Sequence, residues 1–508
     1  MGPGKRLPFG RGRPGVKILA VCVLSLVLLA SMARIPQPAR VQKGASLAAF
    51  TDQLHARIPG LMDIYGIPGA CIALLTGGQT VWTHAYGYAD LDAKREMTEE
   101  AYLRVQSLSK PVTAWGVIKL AEQGKIALDE PVMQYIKDWS FPPSPFSAER
   151  VTVRQLLSHC AGLPLGDVFQ TYSPHQAMPT LTERLTAEAV LINEPGARFS
   201  YSNTGYNLLE LLIQQVTGCD FAEYMRREVL LPLGMDHATF VWSGDLQPPV
   251  PLGYDLSGKA VPVYVYPERG SGGLFASAGD MAAFVAAGMK GSDQQVLSPE
   301  SIAMMYTPAV YDLGLYSLAF DAYGMGCYLE NLPGGERAIS HGGQGTGWMT
   351  HFHAVPETGD GIVILTNSQR SWPFIACLLS DWAKWSGLPP PGMSRIIWGE
   401  YALWALTGAI LFIALWQAWG LAEGLLSGAR RFAPLKPETR CLRLAKAGFS
   451  IALLAGLIWC AGQRYLFLSS VFPGASSGLA GAAGALAVVL LLSAFTGKDV
   501  YHGSCRVS

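Results

Sequence analysis

The sequence is short of charge. Asp, Glu, Lys and Arg make up 15% of its 508 residues, against 50% apolar, where soluble domains carry about 25% charged residues. The 38 acidic and 38 basic residues cancel, so no global field draws nucleic acid or a polyanionic substrate, and nucleic-acid binding is set aside. The nine cysteines (22, 71, 160, 219, 327, 377, 441, 460 and 505) form no CxxC pair. They are spaced neither as zinc ligands with histidine nor as a disulfide framework, so neither a metal nor another cofactor is expected. Five of them lie between Cys71 and Cys377, an odd number that leaves at least one thiol free within the chain and allows one disulfide. No repeat of fixed period is visible. What the chain has in excess is apolar length at its two ends, which points to a membrane, and its size predicts two or more units.

Lys5, Arg6, Arg11, Arg13 and Lys17 precede an uncharged apolar run from Ile18 to Met32. That pattern predicts a signal peptide or signal anchor over 1–33, with Ser31-Met32-Ala33 suited to cleavage. Near the other end, Tyr401–Leu421, Ala445–Ala461 and Gly478–Phe495 are consecutive apolar stretches of spanning length, read as a three-helix transmembrane domain over 401–495. Arg430, Arg431, Lys436, Arg440, Arg443 and Lys446 crowd the first link between them, whereas the second carries only Arg464. Positive-inside ordering then keeps the first link in the cytoplasm and puts the region 45–388 outside it, on the outer side of a bacterial inner membrane.

That extracytoplasmic region is long enough for a large core with a site between two subdomains. Ala70–Thr76 and Gln79–Tyr86 are apolar-rich runs joined by Gly77-Gly78, a hairpin signal, and Thr350–Val355 with Gly361–Thr366 reads as a second hairpin. Between them the pattern turns helical, as in Val112–Gln123 and Asn207–Val216. The expected fold is α+β: an antiparallel sheet built from both ends of the domain, with a helical insertion.

Ser107-Leu108-Ser109-Lys110 is an SxxK tetrad at a helix start. Positions i and i+3 share a face, so the lysine can reach the serine, and burial that lowers its pKa would make it a base for that hydroxyl. The helix N-terminus favours a developing alkoxide. Downstream, Tyr201-Ser202-Asn203 is a YxN element, and His341-Gly342-Gly343-Gln344 is an HxG element in a glycine-rich segment. His351 and His353 alternate on one strand face without acidic partners nearby, which reads as structural, and His159 reads as a packing residue of its loop. Trp348 suits either a cleft wall or the core.

The three elements in this order resemble the signatures of the penicillin-binding protein and class C β-lactamase superfamily. The likeness extends through Gly87-Tyr88-Ala89-Asp90, Leu156–Pro164 and Gly272–Ser277 with Asp280, across the whole region 45–388. The resemblance implies a class C β-lactamase-like fold, an antiparallel sheet with flanking helices plus a helical subdomain. It also implies an acyl-enzyme mechanism in which Ser107 attacks a carbonyl while Lys110 and Tyr201 handle the proton. Asn203 would orient Lys110 and touch the substrate, and the backbone N–H groups of Ser107 and Gln344 would form the oxyanion hole. Gly343 would let a substrate lie close to the strand.

One departure narrows the substrate. Where class C β-lactamases have the lysine of KTG, this chain has His341, mostly neutral at pH 7 and so a poor partner for a free substrate carboxylate. Domain order and motifs are similar to those of the membrane-anchored prodrug-activating D-asparagine peptidases of nonribosomal peptide pathways, the colibactin-maturing type. That likeness implies a small peptide or lipopeptide substrate whose N-acyl-D-Asn cap is removed after export, with Asn203 and Gln344 as readers of the amide. The alternative is an esterase or general D-peptidase acting on cell-envelope material; a non-catalytic sensor is a third. No oligomeric state is implied.

Overall fold

The computed structural model describes residues 41–433, 440–463 and 466–498; the expected leader over 1–33, Cys22, Lys436, Arg464 and Cys505 lie outside the described residues. The chain divides into two compact units, one of them Ala39–Arg395 and the other holding everything from Ile396 onward.

In the first unit, Gly77 and Gly78 take positive φ values of 58° and 76°, which only glycine adopts cheaply in succession and which a two-residue hairpin turn requires. They join β1 (Gly69–Thr76) to β2 (Gln79–Asp90), and β3 (Arg95–Glu96) follows. The other strands of the same sheet come from Ala322 onward: β4 (Ala322–Tyr323), β5 (Tyr328–Asn331), β6 (Arg337–Gly345), β7 (Trp348–Val355) and β8 (Asp360–Thr366). They form one sheet in the order β3-β2-β1-β8-β7-β6-β5-β4. All neighbours are antiparallel, and β1 meets β8 with Ala70 opposite Thr366. The seam between the two ends of the domain therefore runs through the middle of the sheet.

The sheet is covered on both faces, which is why β1 reads as a continuous apolar run. Cys71, Ala73 and Leu75 join the main core with helix α5 (Ala278–Ala287) packed on β1, β2 and β8. On the other face lie α1 (Leu47–Tyr65) and α6 (Trp372–Ser386). These two are locked by stacked Phe50 and Trp385 rings 4.5 Å apart and by an Arg57–Asp381 ion pair of 2.7 Å.

The insertion between β3 and β4 supplies α2 (Ser109–Glu122), α3 (Leu181–Glu188) and α4 (Asn203–Thr217). Helix α2 is buried on every side, from Val112 and Ala114 to Val117 and Ile118, as expected of an all-round apolar helix. Helix α4 starts at Ser202, whose Oγ accepts from Gly205 N at 2.9 Å, and stops at Gly218 with φ 68°, a serine cap and a left-handed glycine stop. The five cysteines of this unit are all free thiols, so the one disulfide the sequence allowed is not formed.

In the second unit, α7 (Arg395–Leu426), α8 (Arg440–Ala461) and α9 (Pro473–Ala494) include three helices long and apolar enough to cross a membrane, with mean hydropathy of 1.6 to 2.0. The 22 residues of α8 rise about 33 Å, against a hydrocarbon core of about 30 Å. Trp398, Ile458 and Trp459 are 71%, 74% and 62% exposed, a placement water disfavours and lipid accepts. These helices mark a membrane-anchored protein. Each begins before the apolar stretch that signalled it, and Arg440, Arg443 and Lys446 occupy the first turns of α8 rather than a link. The Arg443 guanidinium donates to the carbonyl of Ala494 (2.6 Å), an oxygen that the end of α9 leaves without a helical partner, and to that of Ala433 (2.8 Å).

Candidate active site

The turn that presents Ser107 is set by its neighbour. Gln106 has φ 54°, a left-handed conformation costing a non-glycine residue about 1 kcal/mol. It is held there by a hydrogen bond from its Nε2 to Tyr264 Oη (3.1 Å). The 3-10 turn Gln106–Leu108 leads directly into α2 and leaves Ser107 partly open to solvent, while Lys110 is completely buried. Ser109 Oγ donates to Gln106 O (2.6 Å) and accepts from Leu274 N (3.0 Å), pinning the turn to the segment after Ser271.

Lys110 Nζ has three near neighbours: Asn203 Oδ1 at 2.7 Å, Ser271 O at 2.8 Å and Ser107 Oγ at 3.0 Å. The first two only accept, so they take two N–H bonds. With no carboxylate at hand, burial holds the amine well below the ordinary lysine range, which favours the neutral form. A neutral amine that has spent both N–H bonds has only its lone pair left, and the remaining direction is that of the Ser107 hydroxyl. This geometry would let Lys110 act as a base for Ser107.

The Ser271 carbonyl is itself positioned. Buried Glu210 on α4 accepts from the backbone N–H groups of Arg269 (2.6 Å) and Gly270 (2.8 Å) and from Arg269 Nε (3.0 Å). Thr113 on α2 donates to Gly270 O (2.8 Å). Neither Ser271 nor Glu210 nor Gln106 was legible as a site residue: a backbone acceptor, a buried glutamate on an apolar helix and a positive φ leave no motif.

Tyr201 lies just before α4, its ring centroid 4.9 Å from Lys110 Nζ and its hydroxyl near enough to Ser107 to interact with it. Burial raises its phenol well above the ordinary range, so it keeps its proton and can donate it. His159, at φ 59°, packs its ring 4.3 Å from that of Tyr201 and accepts from Ser202 N through Nδ1 (3.1 Å). It fastens the YxN loop, as a packing residue should.

His341 is brought close to the same group but is 1% exposed, among Tyr201, Tyr323 and Tyr328. Burial lowers it to about 3. Neutral, it can donate from Nδ1 to Gly342 O (2.9 Å) and accept at Nε2 from Tyr323 Oη (3.4 Å). Its ring is spent on these partners and offers no charge to a substrate. One pH dependence follows. The base must be unprotonated, so kcat/KM is expected to fall as pH drops through the depressed pKa of Lys110, and His341→Gln should leave the midpoint of that acid limb in place. A pH profile of both proteins checks this; a midpoint that moves with the substitution would assign the limb to the histidine.

Strand β6 passes Ser107 with one edge bare. Its partner β5 covers it only from Arg337 to Ser340, so His341–Gly345 extends beyond the pairing. The approach is close: a Cβ on Gly343 would meet Val105 O at 2.3 Å and Thr350 Oγ1 at 2.2 Å, and one on Gly345 would meet the Gln106 amide at 2.4 Å. Thr350 Oγ1 donates to Val105 O (2.7 Å), tying strand to turn. Glycine is thus required for the strand's approach, and the edge can offer backbone donors beside Ser107. The Gln344 side chain is drawn the other way, its Oε1 accepting from Trp372 Nε1 (3.0 Å). Asn203 Oδ1 accepts from Lys110 (2.7 Å), so each of the two amide oxygens already has one donor. Trp348 is completely buried and belongs to the core. His351 and His353 are buried too, and among the described residues no group of three or more His, Cys, Asp or Glu could hold a metal ion.

A serine on a strained turn, a buried lysine aimed at it and a strand edge alongside define a serine hydrolase. The β-lactamase family model matches residues 54–378, and the chain belongs to that family. It is 27% identical over 326 residues to penicillin-binding protein 4* of Bacillus subtilis, covering 60% of this chain and 69% of that protein. It is 25% identical over 420 residues to the protein flp of Staphylococcus aureus, covering 76% and 79%. Among solved structures, the octameric penicillin-binding protein homologue of Pyrococcus abyssi matches with a TM-score of 0.59 at 27% identity, over 70% of this chain and 81% of that one. A D-alanine carboxypeptidase of Burkholderia cenocepacia, at 19% identity and a TM-score of 0.54 over 64% and 95%, shares the fold.

Proposed function

We propose that this hydrolase is a peptidase of the bacterial inner membrane, with its catalytic unit over 45–388 on the outer side and its spans over 401–495. It cleaves an N-acyl-D-amino acid cap, D-Asn-like, from an exported nonribosomal peptide prodrug. Ser107 attacks the carbonyl of the cap residue, Lys110 takes the hydroxyl proton, and Tyr201 returns one to the leaving amine; water then releases the acyl group by the reverse relay. The observation that carries the reading is the contact between Lys110 and Ser107, with both N–H bonds of the lysine committed elsewhere. The uncharged surroundings of His341 support a substrate that continues past the scissile bond, since no cation waits there for a terminal carboxylate.

The location is tested by topology. A reporter active only in the cytoplasm is expected to work when fused within the basic segment 430–446 and to fail when fused near Pro390. The reverse pattern would put the catalytic unit inside the cell and end the exported-substrate reading.

A further inference from the structure

Beside Ser107 is a pocket whose walls include Asn203, Asn207, Tyr266, Glu188, Glu268 and Asp167. Asn207 stands one turn after Asn203 on α4, so both point the same way. It is 5% exposed, and its Oδ1 has no hydrogen-bond partner among the described residues. A buried amide oxygen left unpaired is costly unless a ligand supplies the donor. No donor reaches it among the described residues, and the pocket it shares is lined by the three carboxylates of Asp167, Glu188 and Glu268. Arg184 on α3 is the cation in contact with the two glutamates: its Nε donates to Glu268 Oε1 (2.8 Å), another nitrogen pairs with Glu188, and its third donates to Gln170 Oε1 (2.7 Å). One guanidinium thus faces two carboxylates, with Asp167 at the rim. Burial, together with Glu268 and Asp167, raises the Glu188 carboxyl above its usual range despite Arg184.

Ser107, Gln106 and Asn203 are among its walls and Tyr201, the proposed donor to the leaving amine, is not; the acyl half of a substrate is assigned to it on that ground. We propose that it is a specificity subsite for a positively charged N–H donor, an ammonium on the acyl-side residue, with Asn207 Oδ1, Glu188 and Glu268 as its acceptors. The proposal rests on acylation of Ser107 and deepens the cap reading: the carboxamide of D-Asn is the neutral member of the same donor class. The ammonium can sit on the side chain or at a free α-amine.

The test compares kcat/KM of the detergent-solubilised full chain on p-nitroanilides of N-acetyl-D-ornithine, free-amine D-norvaline, N-acetyl-D-norvaline, N-acetyl-D-Asn and N-acetyl-D-Asp. At least one ammonium-bearing substrate is expected to exceed N-acetyl-D-norvaline about ten- to a hundredfold, the span of one charge-assisted hydrogen bond, and which one does identifies the source. N-acetyl-D-Asp, isosteric with D-Asn but anionic, should be the slowest. Asn207→Leu and Glu188→Gln should each bring the ammonium-to-norvaline ratio towards one. A wild-type ratio of one or less overturns the subsite whether or not the variants fold, and leaves the cap reading intact if D-Asn is still preferred. A fast ammonium substrate with D-Asn no better than norvaline supports the subsite and removes the D-Asn assignment.

Discussion

Ser107→Ala is expected to abolish turnover, by about 10⁴-fold or more, while the protein remains folded and in the membrane. The substitution removes a hydroxyl from a partly open position, so no cavity forms and no helix cap is lost. What it removes is the only atom that Lys110 faces with its lone pair. Lys110→Ala should lose nearly as much, for a different reason: the hydroxyl stays, but with nothing to take its proton it is a weak nucleophile. Turnover measured on purified variants, with intact mass after exposure to a serine-reactive phosphonate, separates the two. The alanine variant at 107 takes no label, and the one at 110 takes it slowly. Wild-type rates in the Ser107 variant would remove the acyl-enzyme mechanism altogether.

The second large effect is in substrate choice. N-acyl-D-Asn amides are expected to be cleaved about 10⁴-fold faster than the D-Ala analogue, because a buried polar pocket built around a donor is left unpaired when the substrate lacks one. The L-isomer should be slow as well, and penicillins barely hydrolysed, since burial keeps His341 uncharged where a lysine would hold their carboxylate. The measurement is kcat/KM for the three amides and one β-lactam on the same membrane preparation. Equal rates for D-Asn and D-Ala, or fast ester cleavage without amide cleavage, would leave Ser107 as nucleophile and make the enzyme an esterase or general D-peptidase.

Residues close in sequence, or in motifs with fixed offsets, were readable: both hairpins, the SxxK turn, and apolar runs whose length is set by the bilayer. The strands β1 and β8 were legible singly, and a sheet built from both ends of the domain was expected, but that these two strands meet is decided by the structure. Harder to read were groups whose role depends on what lies across from them. Asn203 and Gln344 each look like a free amide in the chain, yet their side chains are claimed by Lys110 and Trp372 from distant segments. Asn207 looks like one polar residue on an apolar helix, and only its position beside Ser107, facing carboxylates from α3 and the loop before Ser271, gives it a chemical meaning.

By itself the sequence indicated the family, three apolar helices long enough to cross a membrane and the placing of Ser107 and Lys110 on one face, because these rest on motif order, local periodicity, helix geometry and hydropathy. The tertiary structure decided which groups are desolvated and which hydrogen bonds are already taken. Those depend on packing between segments far apart in the chain, and they bury Lys110 and His341 and leave Asn207 Oδ1 without a hydrogen-bond partner among the described residues.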